Sequence, residues 1–143
     1  MKSNESKELG MGWHDFMVFC RGLTGVFGII GAIVLAILSV LAFQPIGIVS
    51  SIAMLAVAVY SFEVRHSLKN FEKGAPKKLI TYSILSMILN IADVFAPLLM
   101  SPLGSGAFPE DGVSSILGTV IKAIVMIAIN SSYYQKREDM FVN

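Results

Sequence analysis

One cysteine, Cys20, stands among 143 residues, so neither an internal disulfide nor a CxxC redox pair can form. That excludes thiol–disulfide membrane enzymes. Charge is equally sparse: Asp, Glu, Lys and Arg make up 15% of the chain, well short of the roughly one quarter usual in soluble domains. The formal net charge of +1 leaves no bulk basicity, and no basic patch is interleaved with aromatics as a nucleic-acid groove requires. Nucleic acid is therefore excluded as a partner. GxSxG, HExxH, Walker and GxGxxG patterns are all missing, and the glycines between Gly22 and Gly31 sit inside an apolar run rather than after a strand. The chain is read as non-enzymatic, with no cofactor.

What the chain has is apolar length. Hydrophobic residues make up 55% of it and the mean hydropathy is +0.70, a membrane composition. About 20 mostly apolar residues cross the hydrocarbon layer of a bilayer. Four segments qualify, at approximately 18–43, 46–66, 79–101 and 112–134. Lys2 and Lys7 are diluted by Glu5, Glu8 and Asp15, and the apolar run that follows is far longer than a signal-peptide core, so it is expected to remain as a true span. The expected fold is all-α: one domain over residues 1–143, an integral membrane four-helix up-down-up-down bundle, with no stretch left for a separate soluble domain.

Orientation follows from the basic residues. Arg65, Lys69, Lys73, Lys77 and Lys78 lie between spans two and three, whereas the loop between spans three and four carries only Glu110 and Asp111. The positive-inside rule places the first loop in the cytoplasm, and both termini with it. Lys2, Lys7, Arg21, Lys136 and Arg137 fall on that same side. Trp13, Phe16, Phe19, Tyr133 and Tyr134 are expected there as interfacial anchors.

Two charges interrupt the spans. Asp93 lies within ILNIADVFAPLLM and Lys122 within GTVIKAIVMIAI. Each costs roughly 2.5–3.5 kcal/mol at the centre of a span on insertion scales, so each is a candidate site. Counted from the outer ends at 1.5 Å per residue, Asp93 is roughly 12 Å deep and Lys122 roughly 15 Å. Equal depth on antiparallel neighbours predicts an ion pair. Ser83, Ser86, Asn90, Asp93 and Pro97 share one face of the third span, and Ser115, Thr119, Lys122, Met126, Asn130 and Tyr133 share one of the fourth. Pro97 also frees the carbonyl of residue 93, which Lys122 is expected to satisfy along with the carboxylate. The candidate intramembrane polar site is thus Asp93, Lys122 and Asn90.

Small residues recur at four-residue spacing as Gly28, Ala32 and Ala36, a face that supports either self-association or packing within the chain. Glu63 and His66 have Glu-x-x-His spacing, with His14 and Asp15 at the same interface, but di-metal bundles use this motif twice with further glutamates. No metal site is assigned. Cys20, beside Arg21, is read as a packed thiol rather than an acylation site.

GWHDFMVFCR at the start and YYQKREDMFVN at the end resemble the terminal patterns of small four-helix membrane proteins of Gram-positive bacteria. There a Trp-led aromatic segment opens the first span, and a Tyr-rich basic tail ends in an aromatic plus Asn. The resemblance covers about twenty residues and implies a bacterial plasma membrane, with no activity attached. Small multidrug-resistance exporters also have four helices, but they carry a key Glu in the first span, and this one has no acidic residue after Arg21. Two functions are weighed on this footing. The favoured one is an accessory or interaction subunit in the lipid bilayer, as a homo-oligomer or within a larger membrane complex, with an Asp93–Lys122 pair fixing the third and fourth helices. The alternative is a small transporter or channel using Asp93, Lys122 and Asn90 as a polar or proton-coupling site.

Overall fold

The computed structural model describes residues 10–100 and 111–141, the side chains of 97–100 apart. Four helices account for almost all of them: α1 (Gly12–Leu41), α2 (Pro45–Lys69), α3 (Ala75–Met100) and α4 (Gly112–Gln135), followed by one 3₁₀ turn at Glu138–Met140. All four helices are long and apolar enough to cross a membrane. Few of their apolar residues are buried, and large side chains such as Phe27, Ile33, Val49, Ile121 and Ile124 face outward. A soluble bundle would be built the other way round. The arrangement fits a multi-pass membrane protein.

The α1–α2 hairpin is the tightest unit. A Cβ added at Gly25 would meet Phe62, one at Gly28 would meet Ala58, and one at Gly31 would meet Met54, so the two helices run antiparallel with backbone in close approach. Nearer the connection, Gly47 is equally close to Ser39. The Ser61 hydroxyl donates across this seam to the Arg21 carbonyl at 2.8 Å. Ala32 is buried as well, so the Gly28 and Ala32 face is filled by α2.

Both α1 and α2 end in the same device. After α1, the Gln44 amide donates to the Ser39 carbonyl and the Phe43 amide to that of Val40; after α2, Glu72 donates to Ser67 and Phe71 to Leu68. These are Schellman closures, which place one residue in the left-handed region. That residue is a phenylalanine each time, Phe43 and Phe71, both at φ 52°. Pro45 then opens α2 at a position where its missing N–H costs nothing.

The start of α1, the end of α2, the start of α3 and the end of α4 meet at one end of the bundle. Met17, Val64, Leu68, Leu79, Tyr82 and Tyr134 form its core there. Phe141, beyond the last helix, folds back onto it and packs within 5.3 Å of the Tyr134 ring and 5.6 Å of Phe71, centroid to centroid. The loop between spans three and four, with Pro109 and Glu110, lies outside the described residues, as do Lys2, Lys7 and the other residues of 1–9.

Candidate functional site

A cleft of about 400 Å³ opens among all four helices, in the size range of small-molecule sites. Its polar lining is Arg21 and Thr24 from α1, Ser83, Ser86, Asn90 and Asp93 from α3, and Thr119 and Lys122 from α4. Its apolar wall is supplied by Met54, Val57 and Ala58 of α2, Met87 and Leu89 of α3, and Ala123 and Met126 of α4. The two polar stripes therefore converge on one space, and Asp93, Asn90 and Lys122 all border it. Pro97 lies among the undescribed side chains.

The expected Asp93–Lys122 ion pair is not formed. Among the described residues the ion pairs are those of Lys78, with Glu63 at 2.9 Å and Glu72 at 3.4 Å, where α2 turns into α3. Asp93 instead lies near Ser50 of α2. The physical reason is azimuth. The buried positions of α4 are Gly112, Ala123, Asn130 and Tyr134, so the face that packs is centred about one residue, roughly 100° of helix rotation, away from Lys122. Equal depth put the two charges at one level without turning them toward each other. Both remain substantially exposed along the cleft.

Arg21 was expected as an interfacial cation and instead lines the cleft. Its guanidinium stacks over the Tyr82 ring, 4.3 Å from the centroid, and its Nε is buried with no protein hydrogen-bond partner. The Ser86 hydroxyl is buried and unpartnered in the same way, while the Ser86 carbonyl accepts from Asn90 Nδ2 at 2.6 Å. A pairing of Arg21 with α3 had one signal in the sequence: the lone basic residue inside the first long apolar run.

The aromatic end is a set of specific contacts rather than a loose belt. Trp13 Nε1 donates to Asn130 Oδ1 at 3.0 Å, although the two are 117 residues apart in sequence, and Asn130 is 1% exposed. His14, expected at the solvated interface, is buried; it stacks on Phe71 at 4.8 Å, with Tyr134 and Phe141 edge-on. Arg137 donates to the Gly10 carbonyl at 2.9 Å and its guanidinium lies 3.7 Å from the Tyr133 ring centroid. The other candidates for a metal are drawn elsewhere. Glu63 pairs with Lys78, and His66 contacts Asn70. Among the described residues no group of three or more metal-ligating side chains is gathered. In the α2–α3 connection, the Ser67 hydroxyl and the adjacent Lys78 ammonium hold the Glu72 carboxyl below the ordinary glutamate range.

No protein-family model, curated protein or solved structure matches the chain.

Proposed function

We propose that this chain is a small, non-enzymatic transporter of the bacterial plasma membrane, an up-down-up-down bundle with both termini in the cytoplasm, using the four-helix cleft as its intramembrane polar site. One observation carries the reading. Asp93, Asn90 and Lys122 border a common cleft with the two charges unpaired with each other, where a registry clamp would have them in contact in a closed seam. Ionisable groups that line a cavity within a membrane mark substrate or ion pathways. The topology is supported by the antiparallel α1–α2 seam, by the meeting of four helix ends around Tyr82 and Tyr134, and by the basic α2–α3 connection at that same end.

The accessory-subunit reading draws less from the geometry. Of its self-association face, Gly28 is closely approached by Ala58 of α2 and Ala32 is buried, while Gly28 and Ala36 are each only half-buried. Asp93 is assigned the coupling role, since a carboxylate outside the ion pairs of the described residues can gain and lose a proton without breaking a salt bridge. Proteoliposomes under an imposed pH gradient test this. The wild type should dissipate the gradient faster than Asp93→Asn, with helicity of both checked by circular dichroism. Equal rates from two folded proteins would remove the transporter reading.

A further inference from the structure

The cleft is electrically polarised. At one end Arg21 lies over Tyr82, and four residues further along α3, about 6 Å, stands Ser86. Both carry a buried polar atom with no protein partner. Lys122 borders the same space with no ion pair among the described residues, and the single carboxylate of the lining, Asp93, lies near Ser50, roughly 10 Å along α3 from Ser86. Two cations against one anion leave the lining with one net positive charge among apolar walls. A buried guanidinium N–H, as at Arg21 Nε, is costly unless an acceptor reaches it.

We infer that the cleft binds a small organic monocarboxylate, with its carboxylate between Arg21 and Ser86 and its apolar body along Met54, Met87 and Met126. The inference rests on the cleft being a working site and adds the class of its ligand. A guanidinium whose plane is fixed by stacking presents its N–H groups edge-on, the geometry that suits a carboxylate. Ser86 can donate a second hydrogen bond to the same group. A monoanion brings the lining to neutrality, whereas a dianion would overshoot it. The methionine wall is soft and adaptable, which suits an apolar body of variable shape. A volume of about 400 Å³ suits a small solute.

Isothermal titration of the detergent-purified full chain with benzoate, benzyl alcohol and benzylammonium tests the charge preference. Benzoate should bind at least about tenfold more tightly than either isostere, and Ser86→Ala, Lys122→Met and Arg21→Lys should each weaken it, Arg21→Lys by about tenfold or more. Should Arg21→Lys fail to fold, the other two variants decide. Equal binding of benzoate and benzyl alcohol overturns the inference. So does benzoate binding unchanged in folded Ser86→Ala and Lys122→Met. Displacement of benzoate in nanodiscs by phosphatidylglycerol but not phosphatidylcholine would overturn it too, by reassigning the site to an anionic lipid. Its failure is separable from that of the transporter reading: benzoate selectivity can hold while Asp93→Asn leaves proton flux unchanged, and the reverse result is equally readable.

Discussion

Replacing Gly28 with alanine adds one methyl where α1 and α2 cross. Built on the existing backbone, that Cβ would lie 2.8 Å from the Ala58 Cβ, about 0.6 Å inside the 3.4 Å at which ordinary contact begins. Ala58 has no rotamer to turn away, so the helices themselves must separate. Overpacking of this kind costs typically about 1–3 kcal/mol. Against it stands the gain of about 1 kcal/mol from replacing glycine by alanine within a helix. Gly118 on α4 isolates that second term, because a Cβ there meets nothing within 4 Å. Gly118→Ala should therefore stabilise by up to about 1 kcal/mol, with Gly28→Ala about 1–3 kcal/mol less stable than Gly118→Ala. Unfolding in mixed dodecyl sulfate micelles, followed by circular dichroism, gives both numbers on one scale. Moving the methyl across the seam, in Gly28→Ala with Ala58→Gly, should recover at least about 0.5 kcal/mol relative to the summed single changes. Equal shifts for Gly28→Ala and Gly118→Ala would refute the close approach of α1 and α2, and with it the claim that this face is used within the chain.

The two left-handed phenylalanines should respond in opposite directions. Phe43 is 92% exposed, so Phe43→Gly relieves roughly 1–2 kcal/mol of backbone cost with little packing lost, and the same micelle titration should show a gain. Phe71→Gly should destabilise instead, because the stack on His14 and the contact with Phe141 go with the ring. Trp13→Phe leaves the buried Asn130 carbonyl oxygen without its donor and should cost about 1–3 kcal/mol; no loss would show that the bond does not join α1 to α4. Acidification should lower the thermal midpoint through Glu72. Its folded pKa lies below the unfolded value of 4.5, so its contribution is present above that pH and is lost as pH falls through the folded value. Glu72→Gln should flatten the fall, and an identical slope in the variant would exclude this carboxyl as the source.

The number of helices and their capacity to cross a membrane were legible because apolar runs of about 20 residues have few other meanings. Their ends were not. Helices α1 and α2 stop at Phe43 and Phe71, residues that give no stop signal, where glycine is the expected closure. Phe71 tolerates the left-handed position while its ring fills the box around His14, a tertiary reward that local sequence cannot display. The same holds for Trp13, whose interfacial role was readable from composition but whose partner, Asn130, depends on how the first and last helices meet.

Around the candidate site, periodicity correctly grouped residues by face and then misled by a fraction of a turn. Ser83, Ser86, Asn90 and Asp93 do share one face of α3, and they reach the cleft together. On α4, however, Lys122 and Asn130 are eight residues apart, some 80° of rotation at 100° per residue, so both cannot face the same neighbour. Asn130 is buried against Trp13, and Ala123 follows it onto the packed face at seven residues' spacing. Lys122 is thereby rotated to the cleft's edge. Depth is fixed by counting along one helix, whereas azimuth is fixed by the contacts of every helix around it. The buried face of α4, with Asn130 bonded to Trp13, is turned some 80–100° from Lys122. Polar residues that periodicity gathers at one depth are thus as compatible with lining a cavity as with pairing across a seam, and the buried positions of the helix, here centred on Ala123 and Asn130, decide between them.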